Sequence, residues 1–422
     1  MREGWIRVTI NDIAEVKSGK RLPKGETLSN EKTAHPYIRG RDIKNGKITF
    51  DDPKYITDEV YEQIKRYTAK YGDICLTIVA NIGDVGQVPK FLDGANLTEN
   101  AVKLVNIRED CYPEYLKYSL SAPVNKKQME LSAAGAAQSK LGIYKVKAIK
   151  VDLPNSLDTQ RKIASILSSY DDFIENNTRR IKIREEMAQQ IYCEWFVNFH
   201  FPGHENVKMM DSGTEFGMIP EGWQVKKLSE LVNTQYGYTE SAREEAVGPK
   251  YVRGTDINKT SYVVWETVPY CPINKQNWDK YKLSVGDILV IRMADPGKVG
   301  IIEKNIDAVF ASYLIRLIPR TDHLSPYYLF YFLSSDYYQD YITGASTGTT
   351  RKSASAGVIT DVLVAIPPSE VREAFKIQIE EIRNLMNNLI DQNSVLRQTR
   401  DLLLPKFISG KIDVEDLDID VE

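Results

Sequence analysis

From about Asp158 to Phe196, positions at alternating intervals of three and four are mostly apolar, through Ile163, Leu167, Tyr170, Ile174, Ile181, Ala188 and Ile191, with Asn177 and Arg184 between. The same spacing runs from about Ser369 to Phe407, through Phe375, Ile379, Ile382, Met386, Leu389, Leu396 and Leu403. This pattern places one narrow apolar seam on a long α-helix, and a seam that narrow is buried by a partner helix. Neither stretch contains glycine; Pro154 precedes the first, Pro367-Pro368 the second, and Pro405 falls near the second's end. Sampled every seventh residue, the first reads Ile163, Tyr170, Asn177, Arg184, Ile191; 216 residues on stand Ile379, Met386, Asn393, Arg400, Phe407. The two stretches are therefore copies. At about 1.5 Å per residue, a helix of some 38 residues is roughly 57 Å long, and its economical partner is the other copy. Because the chain returns through a globular segment between them, the pair is expected to run antiparallel. Asn177 and Asn393 either fall at a solvent edge or form a polar pair that fixes register. Arg184 and Arg400 either stay with the seam or reach out toward a partner or a phosphate.

The segments around these helices also repeat. Tyr37-Ile38-Arg39-Gly40-Arg41-Asp42-Ile43 matches Tyr251-Val252-Arg253-Gly254-Thr255-Asp256-Ile257 at an offset of 214, shared by Gly72-Asp73-Ile74 with Gly286-Asp287-Ile288 and by Val85-Gly86 with Val299-Gly300. Gly4-Trp5 matches Gly222-Trp223, and Pro113-x-Tyr115-Leu116 matches Pro326-x-Tyr328-Leu329. A period near half the chain excludes a solenoid. Runs such as 73–79 and 287–291, bounded by glycine, predict strands. Residues 112–131 and 326–341 predict one helix each, with proline near the start. The expected fold is α+β: two mixed α/β globular domains separated by a long antiparallel two-helix coiled coil, with a pseudo-twofold internal repeat. The boundaries are 1–153, 154–200 for the first spacer helix, 201–366, and 367–422 for the second helix and an acidic tail.

Charge changes this picture only locally. The net charge is −3, not that of a stand-alone DNA binder, but residues 1–150 carry 25 Lys and Arg against 19 Asp and Glu, while residues 411–422 hold six acids against Lys411. No apolar run is long enough for a bilayer and the N-terminus has no apolar signal core, so a cytoplasmic protein is expected. Cys75, Cys111, Cys193 and Cys271 are far apart with no CxxC pair, which argues against a disulfide framework or a zinc site. No phosphate-binding Gly-x-x-x-x-Gly-Lys-Ser/Thr loop is present. Asp51-Asp52-Pro53-Lys54-Tyr55 lacks the second proline of an amino-methyltransferase tetrapeptide, and His200 and His204 are interrupted by Pro202. No catalytic or metal residues are assigned.

The order domain, helix, domain, helix, together with Pro220-Glu221-Gly222-Trp223, Asp158-Thr159-Gln160-Arg161-Lys162-Ile163-Ala164 and Leu404-Pro405-Lys406-Phe407-Ile408-Ser409-Gly410-Lys411-Ile412, resembles the specificity subunits of type I restriction–modification systems over nearly the whole chain. The second copy departs from the pattern, with Glu373-Ala374 where the first has Gln160-Arg161, which weakens any partner contact assigned to that glutamine in both halves. The resemblance implies that each globular domain reads half of a bipartite site in double-stranded DNA. It further implies that the helices set the spacing and dock two methyltransferase (modification) subunits, and that motor-nuclease (restriction) subunits join for cleavage. No cofactor is then bound by this chain; S-adenosylmethionine, ATP and Mg belong to the partners.

Base edges are read by Arg on guanine and by Asn or Gln on adenine, and phosphates by Lys, Arg, hydroxyls and backbone amides. Three polar clusters per copy fit those roles. Lys20 and Arg21 follow Lys17-Ser18-Gly19 in a loop-like segment matched by Gln235 and its neighbours. Arg41 and Thr255 differ between otherwise equal motifs, whereas the shared Arg39, Asp42, Arg253 and Asp256 suit a fixed turn as well as a contact. The glycine-bearing segments with Gln138 and Lys140, and with Thr349, Arg351 and Lys352, suit close backbone approach to phosphate. Asn81 and Arg292 follow the Gly-Asp-Ile strands at comparable places. Two other readings carry the same architecture: a coiled-coil scaffold with two protein-binding heads and no DNA, and a specificity subunit of a methylation-only hybrid system.

Overall fold

In a computed structural model, residues 3–134, 140–320, 324–346 and 352–419 are described. The chain forms two compact units, residues 1–175 with 395–422, and residues 176–394. In the first unit, Trp5–Thr9 pairs antiparallel with Lys150–Pro154. Beside it Glu15–Ser18, Ala101–Val105, Ile74–Thr77 and Val85–Gln87 lie in that order in one sheet, extended by Gly46–Ile48 and Ile43–Lys44. Tyr37–Ile38 runs parallel to Asn96–Leu97. The second unit has the same plan: Gln224–Lys227 with Leu363–Ile366, then Val232–Tyr236, Leu314–Pro319, Ile288–Ile291 and Val299–Ile301 in order, and Lys250–Val252 parallel to Ala308–Phe310. The Gly-Asp-Ile strands are buried on both faces, which is why they read as unbroken apolar runs.

The shared motifs build this frame. Arg39 donates from its backbone N and its guanidinium to Asp42 at 2.8–2.9 Å, and Arg253 does the same to Asp256 at 2.8–3.0 Å. The Tyr37 hydroxyl donates to Lys20 O at 2.8 Å, and that of Tyr251 to Tyr238 O at 2.7 Å. Asp73 accepts from Lys70 N and pairs with Lys103 at 3.3 Å; Asp287 accepts from Ser284 N and pairs with Arg316 at 2.9 Å. Gly19 and Gly237 sit where a Cβ would lie about 2 Å from the carbonyl oxygens of Thr98 and Ala311, so no side chain fits there.

Three expectations need correction. Residues 112–131 are two helices, Pro113–Ser121 and Pro123–Ala133, because Ala122 precedes a proline and leaves the helical region. Residues 326–341 divide likewise into Pro326–Ser334 and Asp336–Ala345, where the Ser335 hydroxyl caps the second by accepting from Tyr338 N. The segments with Lys17-Ser18 and Asn233–Tyr236 are strands rather than loops.

The first long helix spans Leu157–Tyr192 and ends in a π-helical turn, Cys193–Val197, which directs Trp195 and Phe196 into the aromatic core around Tyr328 and Phe375. The second spans Ser369–Ile408 with Pro405 in its last turn. Within the first unit their segments pack antiparallel: Ile163 and Leu167 share a core with Leu404 and Phe407, and Asp171 meets Arg400 at 2.5 Å. Within the second unit Asn177 donates to Gln392 Oε1 at 3.4 Å, Asn393 donates to Thr178 Oγ1 at 3.2 Å, Ile181 packs on Met386 and Leu389, and Tyr192 on Phe375. Ile163, Asn177, Ile379, Met386, Asn393 and Phe407 are buried; Tyr170, Arg184, Ile191 and Arg400 are partly so. Gln160 is fully buried and turned inward, accepting from Tyr112 N and donating to the carbonyls of Asp110 and Pro154 at 2.7–2.8 Å. Its side chain is thus used to seat the helix on its own domain. Among the described residues no helix is long and apolar enough to cross a membrane.

Candidate nucleic-acid interface

In the first unit the strand ends carry an open cleft of about 670 Å³ lined by Arg21, Arg41, Asn81, Lys24, Tyr37 and Glu99, among others. Arg21, Arg41 and Asn81, far apart in sequence, therefore share one surface. Arg21 is mostly exposed and donates to Glu99 at 2.7 Å. Arg41 is exposed and donates to Asp52 at 3.0 Å. Asp52 also accepts from Lys54 at 2.7 Å and Arg39 at 2.9 Å, and these hydrogen bonds, Lys54's foremost, hold its carboxyl at about 2. With Asp42 also held by Arg39, two carboxylates thus face the three cations Arg39, Arg41 and Lys54. Lys20 is exposed, with its ammonium 5.6 Å from the Tyr67 ring centre. Lys140 is exposed and forms a β-bridge with Val79, two residues from Asn81.

Ala80, beside Asn81, has φ of 63°, and Ala294, 214 residues on, has φ of 71°. A left-handed alanine is uncommon, and its recurrence in both copies marks a turn that the surrounding structure holds against its strain. The sequence carries this signal only as a pair of alanines at the common offset.

The second unit fills the matching surface differently. Arg292 N bonds Tyr313 O as Ile78 N bonds Asn100 O, so Arg292 occupies the place of Ile78 and is not the counterpart of Asn81. Its guanidinium lies 5.0 Å from the Tyr236 ring centre, and the Tyr236 hydroxyl accepts from Ala356 N. Tyr236 and Tyr313 are exposed aromatics flanking the arginine. Sequence reasoning favoured their neighbour Gln235. That side chain accepts from Arg316 at 3.1 Å and donates to Lys280 O at 2.9 Å, so its groups are occupied inside the domain. The strand alternation explains the exchange: Tyr236 points to the face opposite Gln235. Thr255 is exposed in the turn Gly254–Asp256. Lys352 is exposed, with its carbonyl accepting from Ala294 N. Gln138, Thr349 and Arg351 lie outside the described residues.

Of the cysteines, Cys75, Cys111 and Cys271 are buried and Cys193 is exposed; burial pushes the thiols of Cys75 and Cys111 up to about 12. Such thiols are inert packing groups.

Comparison with known proteins places this arrangement. The profile of the type I restriction modification DNA specificity domain matches residues 2–185 and 220–400, one match per copy, and the chain belongs to that family. It is 25% identical over 432 residues to the type I restriction enzyme MjaIX specificity subunit of Methanocaldococcus jannaschii, spanning 98% of this chain and 94% of that one. It is 20% identical to the EcoBI specificity subunit of Escherichia coli, over 98% of this chain and 87% of that one. The crystal structure of a type I restriction–modification system S subunit from M. genitalium superposes with a TM-score of 0.54 at 17% identity, covering 96% of each chain, and shares the fold.

Proposed function

We propose that the chain is the DNA-recognition subunit of a type I restriction–modification complex and that its two globular domains read the two halves of a bipartite site. Membership of a specificity family supports this, and so does one observation in particular. The two domains share a backbone frame down to individual hydrogen bonds, yet the same surface carries Arg21, Arg41 and Asn81 in one and Arg292, Tyr236 and Tyr313 in the other. Equal frames with unequal side chains suit two different base sequences read in the same way.

In this reading Lys20, Lys140 and Lys352 meet phosphate, Arg41, Asn81, Thr255 and Arg292 approach bases, and the aromatic–arginine stack presents a rigid planar edge. The two long helices act as an antiparallel coiled coil whose length sets the unread spacer. Two methyltransferase subunits dock on them and supply adenine methylation from S-adenosylmethionine, and motor-nuclease subunits bring ATP and Mg chemistry. The chain itself is non-catalytic: it supplies recognition, and the enzymatic activities belong to its partners.

Methylome sequencing of cells with and without the gene tests this. Loss of one split adenine-methylation motif on deletion is the expected result and identifies both half-sites. An unchanged methylome in a strain that expresses the methyltransferase partner would overturn it.

A further inference from the structure

Arg383 lies midway along the second long helix, where Leu167 stands in the first, and its side chain is 1% exposed. A guanidinium so placed has five N–H groups to satisfy away from water. All five are met. Nε and Nη2 grip the two oxygens of Glu303, the former at 2.9 Å. Nη1 donates to Glu185 Oε2 at 2.7 Å and to Ser261 Oγ at 3.3 Å, and Nη2 donates also to Ser261 O at 2.9 Å. The Ser261 hydroxyl donates in turn to Glu185 at 2.6 Å, and the Phe330 ring lies 5.4 Å from the guanidinium. One side chain thus gathers both long helices and three segments of the second globular domain.

The first copy does this differently. Leu167 is fully buried among apolar residues. The place of Phe330 is taken by Lys117, a buried lysine whose ammonium lies 4.5 Å from the Tyr118 ring centre. Apolar packing therefore suffices at this position of the first copy, whose polar tie to the helices lies elsewhere, where Tyr118 and Arg400 meet Asp171, and a buried ion cluster is generally no more stabilising than such packing. The cluster differs in directionality. Apolar faces slide over one another at small cost, whereas a planar fork with five bonds admits a single setting.

We propose that Arg383 is a positioning residue for DNA recognition: it fixes the second recognition domain in one setting on the two long helices and thereby restricts the spacer length the protein accepts. This rests on the reading of the chain as a specificity subunit. Changing the spacer by one base pair moves a half-site by about 3.4 Å and roughly a tenth of a turn. A domain released from the fork keeps its apolar contacts and the exposed ties of Lys304 to Asp391 and of Glu266 to Ser394, which admit more than one setting.

The test uses the full chain co-expressed with its methyltransferase partner, and a plasmid library in which the native half-sites flank spacers of native length and one base pair shorter or longer. The wild-type protein is expected to mark one spacer. Arg383→Met is expected to keep both half-sites while raising methylation of the neighbouring spacers about tenfold relative to the native one. Arg383→Lys, which keeps the charge without the fork, falls between, and Ser261→Ala, a small excision, shifts the profile in the same direction. If Arg383→Met does not accumulate, Arg383→Lys and Ser261→Ala decide. An unchanged spacer profile in these variants, even with a lower melting temperature, makes the cluster a matter of stability and overturns the proposal alone. A wild-type protein that marks no bipartite site overturns the reading beneath it as well.

Discussion

The Tyr118 hydroxyl donates a 2.7 Å hydrogen bond to Asp171 Oδ2, between two buried side chains, and so ties helix Pro113–Ser121 to the first long helix. The other carboxylate oxygen accepts from Arg400 at 2.5 Å. Three residues distant in sequence thus meet at one carboxylate. Burial, followed by the neighbouring carboxylate, pushes the Tyr118 phenol well above its ordinary range, so it remains a donor throughout the working pH range.

Removing members of this triad should cost unequal amounts. Tyr118→Phe deletes one donor and leaves Asp171 with Arg400, an expected loss of about 1–3 kcal/mol. Asp171→Ala orphans the buried phenol and takes one of two carboxylates from the half-buried Arg400, which keeps Asp401 at 2.8 Å, and about 3 kcal/mol is expected. Urea denaturation midpoints check the order; equal losses would show that the phenol and the guanidinium do not depend on the same carboxylate.

Asn177 poses the opposite case. It is buried between the long helices and reaches Gln392 at 3.4 Å, a long hydrogen bond. Gln392 is exposed and finds water when Asn177 is replaced. Asn177→Leu adds apolar contact with Ile181 and its neighbours without orphaning a partner, so a gain of about 1 kcal/mol is expected, read as a higher melting temperature. A fall would mean that the asparagine carries more of the interface than one long hydrogen bond implies.

The helices and the repeat were legible because both rest on periodicity, which one sequence contains in full. The frame residues were half legible. Arg39-Asp42 and Arg253-Asp256 stood out as matched pairs, but Lys103 and Arg316, which complete the Asp73 and Asp287 pairs, are different residue types and disappear from an identity search. The surface was less legible still. Gln235 and Tyr236 are adjacent, and only the strand's register decides that the glutamine is spent on Arg316 while the tyrosine faces outward under Arg292. Arg383 was invisible for a related reason: it falls on the seam where the first copy has leucine, and its partners Glu185, Ser261 and Glu303 come from three separate stretches.

Lys140 is exposed and bridged through its backbone to Val79, beside Asn81. Because the backbone holds it there, Lys140→Ala should remove charge without moving the turn. DNA affinity of the assembled protein is expected to fall at low salt, and the slope of log affinity against log salt to shrink by about 0.9, the signature of one phosphate contact. An unchanged affinity and slope would remove Lys140 from the interface.

Asp52 gives the converse experiment. Its carboxylate accepts from Lys54, Arg39 and Arg41 at once, so it draws charge away from the cleft at which Arg41 stands. Hydrogen bonds from Lys54 and then Arg39 lower its pKa from 3.8 to about 2. A carboxyl lowered in the folded state contributes stability that is fully present above its ordinary value of 3.8 and is lost as the pH falls through about 2. At neutral pH it is therefore ionised and holds Arg41. Asp52→Asn keeps the shape, removes the charge and releases Arg41, which on a duplex without its base partner is free to pair with a phosphate. Binding to a duplex lacking the recognised site should strengthen at low salt, with a salt slope steeper by about 0.9, while the spread between specific and non-specific DNA narrows. Carboxyl NMR of the wild-type protein should show Asp52 titrating near 2. A normal titration would break the link between this carboxylate and its cations, and an unaltered salt slope in the variant would show that the freed Arg41 does not meet phosphate.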